Sequence, residues 1–411
     1  MNPILRTDAE SIIHTAITAV LPDRAVQKAL GGRTFSGRIF LVAVGKAAWQ
    51  MAAAALRCLQ QPIEKGVVVT KYGHVQGKLE NLVCYEGGHP VPDENGLAGT
   101  AAILELTKNL DESDTVLFLL SGGVSALFEQ PLVPNEELQD VTRQLLACGA
   151  DIIEMNTIRK RLSAVKGGRF AAWCAPAHIE AVILSDILGD PLDMIASGPV
   201  VPDTSTCAQA EAIAKKYSLV LSDATRAYLA KETPKELHNV HTQVIGSVRE
   251  LCRAAEKECR ARSYEPILLT DQLCCEAREA GSFFASILRF HAGQGRRLAF
   301  LAGGETMVHL HGKGMGGRNQ ELALAAAHGI AGLGGAAIIS VGSDGTDGPT
   351  DAAGGYADGD TMAALRAKEV DGTEALAQND AYHALRAIDG LIFTGPTGTN
   401  VNDIVVALLE S

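Results

Sequence analysis

Several stretches of this 411-residue chain combine groups that handle anions with turns able to present them. Ser121-Gly122-Gly123-Val124-Ser125 follows an apolar run and opens a helical pattern. A turn of that kind aims backbone N–H groups at one spot, with hydroxyls beside them, which suits a phosphate. Gly45-Lys46 closes the run Ile39–Val44 and offers a phosphate cation. Arg318-Asn319 begins a helical pattern, where a guanidinium fork suits a carboxylate or phosphate. Asp344, Asp347 and Asp351 crowd one Gly-rich loop after the run 337–341, a set fit to hold Mg²⁺ through oxygen or water, or to supply a base. Asp186 occupies the equivalent position after 179–184, with Asp190 and Asp193 close by. Thr394-Gly395-Pro396-Thr397-Gly398-Thr399-Asn400 offers hydroxyls and backbone donors. Together these groups point to phosphoryl transfer, which depends on positioning and charge stabilisation.

Other chemistries lack their signatures. Gly312-x-Gly314-x-x-Gly317 matches the dinucleotide fingerprint in letters. Yet the run before it, Thr306–His311, alternates with histidines, and the next strand-end acid, Asp344, lies well beyond the roughly 20 residues expected. His309 and His311 share one face of that predicted strand with no third ligand nearby, so a polar face is expected there. HExxH, Walker A and GxSxG motifs are absent from the sequence.

The elements that must position these groups alternate. Apolar runs at Ile39–Val44, Val67–Thr70, Leu82–Tyr85, Thr115–Leu120 and Ile179–Leu184 are separated by helical patterns at 47–59, 94–109, 136–149 and 151–173, after a first helix at 7–21. That is the pattern of a parallel sheet covered on both faces, with ligands at the carboxyl ends of its strands. A polar stretch at 231–241 marks the boundary between two α/β domains, taken as 1–236 and 237–411. Beyond it come strands at 243–246, 266–270, 298–301, 306–311, 337–341 and 391–394, with helices at 247–262, 275–292, 318–331 and 360–368. The closeness of 298–301 to 306–311 suggests a hairpin or bulge and hence a mixed sheet.

Composition narrows the partners. A formal net charge of −12 disfavours nucleic acid and anionic membranes. The only dense basic segment, Arg159-Lys160-Arg161 with Lys166 and Arg169, is too short for a nucleic-acid arm. Nine cysteines without CxxC spacing read as reduced thiols of a cytoplasmic protein, and no apolar run is long enough to span a membrane.

The chain also resembles a known family across nearly its whole length. The stretches VGKAAWQM (44–51), EGGHPVPDENG (86–96), LSGGVSALFEQP (120–131), MNTIRKRLSAVKGGR (155–169), LSDILGDPLDMIASGPVVPD (184–203), GGETMVHLHGKGMGGRNQE (303–321), SVGSDGTDGPTDAAGG (340–355) and TGPTGTNVND (394–403) are similar to the class II glycerate 2-kinases, which carry a glycerate-kinase N-terminal domain and a C-terminal MOFRL domain. The resemblance implies a Rossmann-like N-terminal α/β/α domain, a site in the cleft between domains, and ATP- and Mg²⁺-dependent phosphorylation of D-glycerate to 2-phosphoglycerate. It implies catalytic roles for Lys46, Asp186, Arg318 and Asp344. On this reading Gly45, Ser121, Gly122, Gly123 and Ser125 hold ATP phosphates, while Arg318, Asn319 and Glu305 bind substrate. Asp186, Asp344 and Asp347 are the metal-ligand candidates. A homodimer is compatible with the resemblance. Family members are also named hydroxypyruvate reductases, so an NAD(P)H-dependent reductase is the alternative, and a non-catalytic sensor a third option.

Overall fold

The computed structural model describes residues 2–410, which form two compact units. The unit of residues 26–245 is built on a six-stranded sheet. Its strands are β1 (Ile39–Val44), β2 (Ile63–Lys71), β3 (Leu82–Gly87), β4 (Thr115–Leu120), β5 (His178–Leu184) and β6 (Val240–Gly246), in the order β3-β2-β1-β4-β5-β6. The β3–β2, β2–β1, β1–β4 and β4–β5 pairings are parallel. Every residue of β1 and β4 is buried, which is why these runs carry no polar alternation. This is the doubly wound order of a Rossmann-type sheet. It reverses between β1 and β4, so the crevice outside their carboxyl ends is where such a fold binds ligands.

Three of the buried aromatics pack together near the end of β4. Phe118 on β4, Phe128 just past the Ser121–Ser125 turn, and Phe170 form a buried triad with centroids 5.7, 4.9 and 5.2 Å apart. Each such pair contributes about 0.5–1.5 kcal/mol beyond the area it buries. The triad anchors both ends of the turn in the core.

The second unit, residues 1–25 with 246–411, has a mixed sheet, as expected. Its strands are β7 (Glu265–Leu273), β8 (Leu298–Gly304), β9 (Ala336–Gly342), β10 (Gly354–Asp358), β11 (Leu391–Ile392) and β12 (Asp403–Leu409), in the order β11-β10-β9-β12-β8-β7. Only β7–β8 is parallel; the remaining pairings are antiparallel. The cause is not the expected hairpin. Residues 306–311 form no strand, apart from an isolated bridge between Met307 and Glu276. The sheet is mixed because β12, wholly buried, inserts antiparallel between β8 and β9. The last strand is therefore β12, not 391–394.

Two further expectations change. The helix expected over 151–173 is two helices, Ile152–Arg161 and Arg169–Cys174. The boundary near 236/237 moves, because β6 completes the first sheet and the units divide between 245 and 246. The polar stretch misled because it runs into an edge strand, where His241 pairs with Glu180 at 2.9 Å. The N-terminal helix Pro3–Ala19 belongs with the second unit. Its Asp8 meets Arg262 at 2.6 Å and Tyr264 at 3.0 Å, while Leu5, Ile12, Ile13 and Ile17 are buried.

The segment 159–169 is directed inward: Lys160, Arg161 and Lys166 are buried. All nine cysteines are free thiols, and among the described residues no helix is long and apolar enough to cross a membrane.

Candidate functional site

In the unit of residues 26–245, chemistry gathers where the sheet order reverses. Gly45 leaves β1 at φ +125°, and a Cβ there would lie 2.3 Å from Ser121 Oγ. The Lys46 N–H donates to the Gly122 carbonyl at 2.9 Å, and the Ala47 N–H to Ser121 Oγ at 2.9 Å. Thus β1 and β4 end in one stitched double turn. Ser121 is buried and its oxygen accepts in this stitch, so the hydroxyl has a structural role at the turn. We predict that Gly45→Ala destabilises the fold by more than about 2 kcal/mol, read from the denaturant midpoint, since it adds both positive-φ strain and a clash. A midpoint within experimental scatter of the parent would remove Gly45 from this account.

The Gly122–Ser125 N–H groups make no main-chain hydrogen bond among the described residues. The helix that follows is a single turn, Val124–Leu127, too short to carry a long helix dipole. A Cβ on Gly122 would lie 2.3 Å from Asp186 Oδ2, and one on Gly123 would lie 3.2 Å from Lys46 Cγ and 3.0 Å from the His89 ring. Lys46, His89 and Asp186 therefore converge on one Gly-Gly turn. The Lys46 ammonium is half-buried and has no ion-pair or hydrogen-bond partner among the described residues. Its main chain is held by Thr70 at 3.4 Å and by His74, whose Nδ1 lies 2.8 Å from the Lys46 carbonyl oxygen. Behind the turn, Lys166 and Arg159 donate to the Ser125 carbonyl at 3.2 and 3.4 Å. Burial lowers the Lys166 ammonium to about 8, with Glu129 at 3.6 Å opposing that fall.

In the second unit, the antiparallel insertion of β12 brings its first residue, Asp403, opposite the final residues of β8 and β9, Gly304 and Gly342. Arg318, first residue of the helix Arg318–Ile330, donates Nε to Asp403 Oδ2 at 2.5 Å and Nη2 to Asp403 Oδ1 at 3.0 Å. Its Nη1 donates to Glu305 at 2.7 Å. The fork expected to clamp a ligand is thus occupied by Asp403, which leaves two of the five guanidinium N–H donors. Burial pushes the Asp403 carboxyl up to about 6, although Arg318 pulls it down. Asp344 is half-buried and flanks Gly342 together with Asp403: a Cβ there would lie 3.3 Å from Asp344 Oδ1 and 3.4 Å from Asp403 Oδ1. Beside Arg318 opens a pocket of about 360 Å³, lined in part by Met307, Val308, Leu310 and Gly316.

Two candidates prove internal. Asn319 is buried, donating to Asp347 at 3.2 Å and accepting from the Ser340 hydroxyl at 2.6 Å, so it does not face substrate. Asp347 is buried and accepts the N–H groups of Asn319 and Gln320 at 3.2 and 2.9 Å, capping the helix. Burial raises its carboxyl against those bonds. It is a poor metal ligand, and no group of three or more His, Cys, Asp or Glu side chains among the described residues is arranged to hold a metal. Half-buried Asp186 and Asp344 fit the looser mode of Mg²⁺, one or two carboxylates with phosphate oxygens and water completing the shell.

The dinucleotide-like glycines also have a local cause. Cβ atoms on Gly312 and Gly314 would collide with Gln378 and Asp380, and one on Gly317 with Asp347. They are small because protein packs on them, which argues against a pyrophosphate loop. Asp403 and His89 were missed by reasoning from the sequence. Asp403 had a signal, a carboxylate at the head of the fully apolar run DIVVALL, which cannot be buried without a cation. His89 had none beyond its place in a Gly-Gly-His-Pro turn.

A Rossmann-type unit with a Gly-Gly turn at its point of reversal, and a second, mixed-sheet unit carrying a buried Arg–Asp pair, make up a two-unit α/β architecture suited to a phosphotransferase. Residues 8–230 match a domain of unknown function, DUF4147, and 298–403 match the MOFRL family. The chain is 50% identical to a D-glycerate 2-kinase of Thermotoga maritima over 98% of both chains. It superposes on a glycerate kinase crystal structure from that organism with a TM-score of 0.97, covering 99% of this chain and 100% of the other. It is 38% identical to a putative hydroxypyruvate reductase of Agrobacterium vitis over 91% of this chain and all of that one. The chain belongs to the class II glycerate 2-kinase family, built from DUF4147 and MOFRL domains.

Proposed function

We propose that this protein transfers the γ-phosphoryl group of ATP to the 2-hydroxyl of D-glycerate, giving 2-phosphoglycerate and ADP. The observation that carries the reading is the unpartnered, half-buried Lys46 ammonium beside the Gly122–Gly123 turn, where the sheet order reverses. An ammonium that makes no ion pair among the described residues, at the crevice of such a sheet, suits an anionic ligand. The family relationship supports glycerate as the acceptor.

The roles follow from the chemistry. Backbone N–H groups of Gly122–Ser125, with Gly45 keeping the turn tight, hold the ATP phosphates. Lys46 neutralises charge developing on the transferred group. The two remaining Arg318 donors bind the glycerate carboxylate, with Asp403 and Glu305 holding the guanidinium in place. Asp186 or Asp344 accepts the hydroxyl proton as the oxygen attacks phosphorus. Whichever of Asp186 and Asp344 does not act as the base would be the carboxylate fit to hold Mg²⁺, which would supply charge neutralisation to the phosphates.

A paired assay tests the reading. ADP release is followed with D-glycerate, ATP and Mg²⁺; cofactor absorbance is followed with hydroxypyruvate and NADH or NADPH. Turnover is expected in the first arm, with phosphorus NMR fixing the product carbon. Turnover in the second arm alone would overturn it.

A further inference from the structure

The loop after β3 brings His89 to the Gly122–Gly123 turn from the far side of the sheet. Its ring is the nearest side chain to Gly123: a Cβ there would lie 3.0 Å from His89 Cδ2 and 3.2 Å from Nε2, with Lys46 Cγ also at 3.2 Å. The loop is fixed, not draped. A Cβ on Gly87 would lie 2.8 Å from Gly96, and Asp93 caps the helix Glu94–Leu106 through the Gly96 N–H at 2.9 Å while accepting the Tyr72 hydroxyl at 2.7 Å. The ring is half-buried, yet neither of its nitrogens has a hydrogen-bond partner among the described residues. The Nε2 edge of the ring lies against a turn whose N–H groups make no main-chain hydrogen bond among the described residues, next to the Lys46 side chain.

We propose that His89 is a further phosphate ligand of this site, donating its Nε2–H to a non-bridging phosphate oxygen beside the Lys46 ammonium. The inference rests on reading the Gly122–Ser125 turn as a phosphate site. Burial, with Lys46 and Lys71 close by, lowers the imidazole pKa, so the free enzyme presents a neutral ring that carries one N–H. Such a ring adds a donor without adding a second charge to repel Lys46. Of the polar side chains at the turn, the imidazole has the rigid planar geometry that best fixes the orientation of a phosphoryl group.

The test compares His89→Ala, His89→Leu and His89→Gln with the parent protein. Glutamine sets an amide N–H near the place of Nε2–H, while leucine keeps bulk without a donor. Calorimetry with MgATP, with magnesium tripolyphosphate and with adenosine reads binding; ADP release with D-glycerate reads turnover. Removing a hydrogen bond to a charged partner weakens binding about tenfold or more. The expected result is that loss for MgATP and tripolyphosphate in the Ala and Leu variants, unchanged adenosine affinity, and recovery to within about threefold in the Gln variant. Unchanged MgATP affinity in the Ala and Leu variants, a parallel loss for adenosine, or a Gln variant as weak as Leu would each overturn the proposal. A parent protein that binds MgATP but does not phosphorylate glycerate overturns the glycerate reading and leaves this test intact. A parent that binds neither MgATP nor tripolyphosphate overturns both.

Discussion

Replacing Lys46 with methionine lowers kcat for ADP release about a thousandfold while leaving the melting temperature nearly unchanged. The two halves of that expectation have separate causes. The ammonium has no partner among the described residues, so its removal orphans no buried charge, and methionine retains the apolar stem beside Gly123. Stability should therefore move by no more than about 0.5 kcal/mol. The transition state of phosphoryl transfer, by contrast, spreads negative charge over the moving group, and a fixed cation in a partly desolvated crevice stabilises it by several kcal/mol. Arginine at 46 should recover part of the rate, because charge returns while the geometry of a compact ammonium does not. A methionine variant with kcat within about tenfold of the parent would remove Lys46 from the reacting centre.

Replacing Arg318 with methionine should abolish measurable turnover and also destabilise the protein by about 3 kcal/mol, because it leaves Asp403 buried without its cation. The second effect has a pH signature. Burial holds the folded Asp403 carboxyl at about 6, above the roughly 3.9 of an unfolded aspartate. A raised acid favours the fold while both states are protonated, below about pH 4, and that contribution is lost as pH rises through about 6. Without Arg318 the carboxyl rises further, so the loss continues to higher pH. The stability deficit of the variant, from urea midpoints, should be smaller at pH 5 than at pH 8. Adding Asp403→Asn to Arg318→Met should restore much of the stability and none of the activity, a coupling that a double-mutant cycle reads directly. Equal deficits at both pH values would show that the Arg318–Asp403 pair does not carry the energy assigned to it.

The same pair shows how far reading along the chain can reach. Continuous apolar runs, period-3.6 helices and Gly-containing strand ends are local features, because burial on both faces of a sheet demands apolar residues one after another. They sufficed for two α/β units, a parallel first sheet, and the candidate groups Lys46, Asp186, Arg318 and Asp344 at strand and helix ends. The long motifs sufficed for the family. What failed was whatever depends on residues distant in sequence. Asn319 and Asp347 read as site residues because polar side chains at a helix start and on an Asp-Gly loop look alike whether they face a ligand or each other. Nothing near Ser121 shows that the Ala47 N–H, at the end of the neighbouring strand, donates to its oxygen and ties it into the turn. The N-terminal helix read as part of the first domain because chain order says nothing of Arg262 and Tyr264 gripping Asp8. Strand order is a property of packing, and only it sets Asp403 beside Arg318 and His89 beside Gly123. Residue type fixes what a group can do, whereas tertiary structure decides which charges are already matched and which remain for a ligand.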